Sequence, residues 1–269
     1  MPSLNNPLNL VQLSIDAASG VARLTFNRPD VLNAIDVPTA RALRDQALVL
    51  AQDERIRCVV LAGHGRAFVA GGDLSRFAQD FDRAEVVVDE LLDALHPAIE
   101  TLHALDAPVL AAVQGAVAGA GLSLMAACDL VIAAEGTRFM MAYDRVGAPP
   151  DCGATYELPR LIGPRRAAQF YLLGETLDAE QAMAMGLVNR VVPADQLDAQ
   201  AQLWAVKVAS GPTRAYGSYK RLVQQSHTAT LSEQLEAERI AFKAATRTDD
   251  FRLGVRAFLA KQLPRFSGR

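Results

Sequence analysis

Two glycine-rich turns stand where this sequence could do chemistry. GRAFVAGGDL, residues 65–74, follows the apolar run RCVVLAG, and GAVAGAG, residues 115–121, overlaps the end of PVLAAVQG. A glycine-rich turn that opens a helix points backbone N–H groups at something negative, and the helix dipole adds to the attraction. The spacing excludes a nucleotide loop. Gly63-His64-Gly65 would need a glycine at 68 and Gly119-Ala120-Gly121 one at 124, but Phe68 and Leu124 stand there, and no Gly-Lys-Ser/Thr follows either turn. Two such turns beyond the carboxyl ends of two parallel strands suggest a pair of amides converging on one oxygen, an oxyanion hole. The competing reading is two tight turns whose glycines serve close packing alone. The first polar side chain after the second turn is Ser123. Further on, Asp151 follows Pro149-Pro150 and precedes a helical run, which suits a carboxylate base and equally a helix N-cap.

The elements that would carry these residues alternate. VQLSID and VARLTFN have strand composition with a small turn between them. PTARALRDQALVLAQD repeats apolar residues at helical spacing, RCVVLAG is a buried strand, and VVVDELLDALHPAIETLHAL is a long helix. PVLAAVQG, GLSLMAAC and DLVIAA continue as strand, helix and strand, so βαβ units with a mostly parallel sheet are expected. After Asp151 helices dominate, interrupted by a short strand in LVNRVV. A boundary at Gly211-Pro212 divides a β/α core, residues 1–210, from a helical region, residues 211–269.

Composition narrows the function. The chain has 269 residues, 51% of them hydrophobic, enough for one substantial core. A net charge of −3 supplies no basic field for nucleic acid. The long apolar stretch Pro108–Ala134 is broken by Gln114, Ser123, Asp129 and glycines, which fits a soluble core better than a membrane span. MPSLNNPLNL lacks the basic start and apolar run of a signal peptide. The three cysteines, Cys58, Cys128 and Cys152, form neither a disulfide framework nor a metal spacing. A cytoplasmic protein without a bound metal is expected.

FNRPDVLNAI, AFVAGGDL, PVLAAVQGAVAGAGLSLMAACDLVIAAEGTRF and PRLIGPRRAAQFYLLGETLDAEQAMAMGLVNRVVP together resemble the crotonase, or enoyl-CoA hydratase/isomerase, superfamily, from about Val21 to Arg269. The resemblance implies an α/β fold: a spiral of ββα units with a helical C-terminal trimerisation region, in a homotrimer or a dimer of trimers. It implies an acyl-CoA thioester substrate, with coenzyme A entering as part of the substrate and no separate cofactor. By motif position the amides of Ala70 and Ala120 would hold the thioester oxygen as it becomes an enolate. Arg28, Val31, Ala70, Gly71, Gly72, Asp73 and Leu74 would cradle the nucleotide end, with Lys261 reaching it from the C-terminus.

The sequence departs from the family's two-glutamate hydratases. Those two positions fall on Ser123 and Tyr143, neither of which can act as a carboxylate base. Asp144 lies one residue off the second position. Asp151 resembles the aspartate that isomerase branches use to move a proton, so double-bond isomerisation is the expected reaction. A dehalogenase branch uses an aspartate there as a nucleophile on an aromatic acyl-CoA, with a histidine at the position of His96; its tryptophan is replaced here by Tyr143, which also suits a pocket wall. Hydration with other acid/base residues and a silent CoA-binding protein are the remaining alternatives.

Overall fold

A computed structural model describes residues 10–269; the N-terminal segment read above for a targeting signal lies almost wholly outside them. β1 (Val11–Asp16) and β2 (Val21–Phe26) form an antiparallel hairpin in which Val11 faces Phe26 and Asp16 faces Val21. Asp16 holds the turn by accepting from Ala18 N at 3.0 Å and Ser19 Oγ at 2.6 Å. From β2 onward every connection in this sheet is a crossover, and parallel pairing follows. The sheet runs β1-β2-β3-β4-β6-β9, with β3 (Cys58–Gly63), β4 (Val109–Val113), β6 (Leu130–Ala134) and β9 (Arg190–Val192) parallel to β2.

β3 and β4 read CVVLAG and VLAAV because helices cover both faces of the sheet. Val59, Leu61, Val109 and Ala111 face the larger apolar core, which also takes in residues of α1 (Val37–Ala51) and α3 (Ala84–Ala104). Cys58, Val60, Leu110 and Ala112 face α8 (Leu197–Ala209), whose Ala201, Ala205 and Ala209 allow close approach. Asp36 starts α1 by accepting from Thr39 N at 2.9 Å.

A second, smaller sheet is absent from the sequence expectations. β5 (Ala116–Ala118) pairs in parallel with β7 (Arg138–Met140), and β7 pairs antiparallel with β8 (Thr176–Asp178). Each strand has three residues, too few for an alternation to register. The Pro108–Ala134 stretch thus becomes β4, β5, α4 (Ala120–Ala126) and β6, and no helix among the described residues is long and apolar enough to cross a membrane. The short α2 (Ser75–Gln79), with five residues, likewise has no counterpart in the sequence pattern. α5 (Ala154–Ile162), α6 (Pro164–Leu172) and α7 (Ala179–Met185) follow the site. Beyond α8 come α9 (Thr213–Ser226), α10 (Leu231–Ala245) and α11 (Asp249–Leu259), as the helical reading of the C-terminus expects.

Candidate active site

The segment between β2 and α1 is the base on which the first glycine turn lies. Leu32 and Asn33 both take left-handed backbone, at φ 54° and 58°. The fully buried Asn33 side chain repays that strain: its Nδ2 donates to the carbonyls of His64 at 3.0 Å and Ala67 at 2.8 Å, and its Oδ1 accepts from Arg28 N at 2.8 Å. The turn then runs alongside residues 32–35. Ala70 N donates to Leu32 O at 3.1 Å, Ile35 N to Gly71 O at 2.9 Å, and Asp73 N to Ile35 O at 2.8 Å.

This pairing corrects one expected oxyanion donor. The Ala70 amide is already engaged by Leu32, so it does not face a ligand. Gly72 pairs with Ile35 as a parallel bridge in which the bonds to Ile35 are made by the residues on either side of Gly72. Its own N–H therefore points away from that segment. The Gly72 amide meets no acceptor among the described residues, and a Cβ built there would have no atom within 4 Å.

The second turn packs directly on the first. Ala118 N donates to Val69 O at 3.0 Å, and Gly119, at φ +51°, sits where a Cβ would be 3.4 Å from the Gly71 Cα. At Gly121 a Cβ would fall 2.2 Å from the Val69 carbonyl oxygen, so only glycine permits this approach. α4 begins at Ala120, whose N–H, in the first turn, has no acceptor within the helix. The amides of Gly72 and Ala120 are thus carried by two touching turns, with Ala120 at the start of α4.

Three side chains meet at the same helix. Ser123, fully buried, sends its Oγ to Asp151 O at 3.1 Å and to Gly119 O at 3.3 Å, and lies 3.3 Å from Tyr143 Oη. Tyr143 Oη donates to Asp151 Oδ1 at 2.5 Å. Residues at the two glutamate positions of the hydratases and the aspartate of the isomerases therefore form one cluster. Asp151 is not the cap of α5. The N-cap is Gly153, at φ +85°, with no side-chain cap bond, and Asp151 contributes only its carbonyl, accepting from Ala154 N at 3.0 Å. Cys152 between them is also left-handed, at φ 53°.

Electrostatics sort these groups. Burial first, and then the Asp151 charge, push the Tyr143 phenol well up, so it stays a protonated donor. The same two causes push the Cys152 thiol up, which removes it as a thiolate nucleophile. Asp144 is exposed and turned toward Gly174, away from the cluster.

His96 is exposed on α3 and lines a cavity of about 410 Å³ together with Cys152 and Gly153. The Arg28 guanidinium, expected at the nucleotide, is held by Asp36 at 3.1 Å, Asp73 at 3.2 Å and the Ala34 carbonyl, so it braces the first turn. Ser75 first, with Arg28 adding to it, keeps the Asp73 carboxyl below the usual carboxylate range. Val31 and Leu74 are exposed beside that turn. Lys261 follows α11 at φ 53°, exposed, and its ammonium makes no ion pair among the described residues. Among the described residues no three His, Cys, Asp or Glu side chains gather as a metal site.

Comparison with known proteins converges on one family. The enoyl-CoA hydratase/isomerase family model matches residues 16–269. The chain is 39% identical to the 1,2-epoxyphenylacetyl-CoA isomerase of Escherichia coli K12 across 93% of its own length and 96% of the relative's. It is 31% identical to the trans-2-decenoyl-[acyl-carrier-protein] isomerase of Streptococcus mutans, across 97% of its own length and 100% of the relative's. The crystal structure of an enoyl-CoA hydratase from Polaromonas sp. JS666 superimposes with a TM-score of 0.89 at 32% identity, covering 95% of this chain and 98% of that one. This chain, with its two touching glycine turns and its crotonase fold, belongs to the enoyl-CoA hydratase/isomerase family.

Proposed function

We propose that the protein shifts the double bond of an unsaturated acyl-CoA thioester, with Asp151 moving the proton. The thioester oxygen is received by the amides of Gly72 and Ala120. Asp151 Oδ2, the oxygen that Tyr143 leaves free, takes a proton from the α- or γ-carbon. The C–H electron pair moves into the carbon chain and charge collects on the oxygen as an enolate, which the two amides and the start of α4 stabilise. The carboxyl returns the proton at the other carbon. No atom is gained or lost, so a single carboxylate suffices, whereas adding water asks for a second group to hold and deprotonate it.

The observation that carries this reading is the Tyr143–Asp151 hydrogen bond beside the paired turns, with Ser123 and Tyr143 in place of carboxylates. The two relatives named as isomerases support it. A hydrolytic reading, with Asp151 as nucleophile and His96 as base, draws on the cavity that His96 shares with Cys152 and Gly153. As further parts of this proposal, coenzyme A enters only as part of the substrate and the enzyme works in the cytoplasm. The exposed Leu231, Phe242, Phe258 and Leu263 of the C-terminal region support a homotrimer or a dimer of trimers.

The test is turnover of enoyl- and aryl-CoA substrates followed by mass spectrometry in D₂O. Isomerisation gives an unchanged formula apart from deuterium taken up at carbon. Asp151→Asn lowers that turnover by at least ~10²-fold, the scale of a lost general base. Gain of water, or loss of halide from a haloaryl-CoA, at a rate exceeding isomerisation would replace this reading with hydration or hydrolysis.

A further inference from the structure

Directly after Asp151 the chain turns into the wall of the 410 Å³ cavity that His96 also lines. Its size falls within the ~300–1,000 Å³ range of small-molecule sites. The near end is formed by Cys152 and Gly153, and Ile99 supplies an apolar side wall. The far end is polar and joins three helices: His103 of α3, Glu157 of α5 and Gln224 of α9. We infer that this cavity receives the distal end of the acyl group and selects an uncharged tail that carries a hydroxyl. The inference rests on the acyl-CoA reading above and specifies its substrate class.

The far wall has unmet hydrogen-bonding capacity of a definite kind. Gln224 Nε2 lies 3.1 Å from His103 Nδ1 and 3.3 Å from Nε2, holding the ring in place. Glu157 Oε1 is 3.6 Å from His103 Nε2, too far for a hydrogen bond, and its carboxyl accepts none among the described residues. Both side chains are partly buried, 29% and 17% exposed, so neither is fully served by solvent. Burial, with the Lys220 ammonium adding to it, keeps His103 below its ordinary value, so near neutral pH the ring offers one donor and one acceptor. Burial also raises the Glu157 carboxyl above the usual carboxylate range. A hydroxyl placed beside this pair donates to Glu157 and accepts from His103.

Other tails fit less well. A plain alkyl end would leave the carboxyl desolvated and unpaired. A carboxylate end would meet Glu157 and Glu100; no arginine or lysine lines the cavity, and Arg160, whose charge reaches Glu157, is stacked on the Tyr156 ring and offsets only part of that repulsion. The Lys220 charge is already paired with Asp129 at 2.9 Å.

The experiment is calorimetric binding of ω-hydroxyhexanoyl-CoA, hexanoyl-CoA and the ω-carboxy analogue to the whole protein. All three are saturated, so no turnover intervenes. The hydroxyl tail is expected to bind about 10-fold or more tighter than hexanoyl, the scale of one hydrogen bond to a charged group, and the carboxylate tail weakest. In Glu157→Met and in His103→Leu the ratio of the first two affinities falls toward one, with melting temperatures recorded to show that each variant is folded. Equal affinities in the wild-type protein overturn the inference without needing any variant, and so does a preference that survives both substitutions. The acyl-CoA reading fails separately, when none of the three thioesters binds. Equal binding alongside intact isomerisation removes only the hydroxyl subsite.

Discussion

A carboxylate that carries a proton between two carbons must keep one oxygen still while the other works. Tyr143 holds Oδ1 of Asp151, and Ser123 holds the Asp151 carbonyl, so side chain and backbone are fixed by different partners. Stability should follow from these contacts rather than from helix capping. Asp151→Asn keeps an acceptor for the phenol and should unfold within about 1 kcal/mol of wild type. Asp151→Ala strands the buried phenol and should lose about 1–3 kcal/mol. Adding Tyr143→Phe to Asp151→Ala should recover much of that loss, because no unpaired hydroxyl remains. Urea denaturation of the four proteins checks this; an undiminished loss in the double variant would point to some other role for Asp151. The sequence made Asp151, Ser123 and Tyr143 visible as separate positions, because their types break or match known motifs. It could not show that Ala70 spends its amide on Leu32, since that bond depends on two left-handed residues in a distant segment. Asn33, which holds that segment, lay unremarked inside FNRPDVLNAI for the same reason.

At the scale of elements, the site is a matter of how closely two turns approach. Val69 O lies where a Gly121 side chain would begin, and the first residue of α4 stands one position away. Gly121→Ala should therefore push α4 off the first turn and separate the Gly72 and Ala120 amides. The expected cost is about 1–3 kcal/mol of stability from overpacking and ~10²–10³-fold in turnover, the scale of a lost oxyanion donor. Gly72→Ala, whose methyl meets nothing within 4 Å, should keep wild-type stability. Thermal melts and turnover of both variants test the pair; equal stability losses would refute the packing argument. The longer main-sheet strands and the long helices were legible because each carries enough residues to show a period, as in CVVLAG and the α3 repeat, and the short β9 showed through the apolar run LVNRVV around it. β5, β7 and β8 were not, although β5 leads directly into the second turn. These three strands are fixed by partners across the fold, and the local pattern holds no record of them.

Across the whole molecule, the C-terminal helices are fastened to the core largely through polar contacts. Arg57 reaches the Gly211 carbonyl at 2.6 Å and Thr213 Oγ1 at 2.5 Å, Arg221 pairs with Asp106 at 2.5 Å, and Gln224 meets His103. The nearly buried Lys220 pairs with Asp129, whose Oδ2 also accepts from Val109 N at 2.7 Å. Such a seam makes stability depend on pH. His103 faces Glu157, Gln224, Lys220 and Asp129, and burial chiefly holds it below 6.5. As the pH falls through 6.5 the unfolded chain therefore binds a proton that the folded chain resists, and folding weakens. Glu157 acts in the opposite sense. Its raised value, from burial with Asp129 adding and Arg160 opposing, lets the folded chain take a proton first, so its term favours folding as the pH drops toward 4.5. Just below pH 6.5 the histidine term is the one removed by His103→Gln, which cannot be protonated. Wild-type protein should lose stability across that window more steeply than the variant, read as the difference in urea midpoints at fixed m-value. Parallel pH profiles for the two proteins would mean that His103 is not kept neutral by the fold, and that the seam between α3, α5 and α9 is open to water.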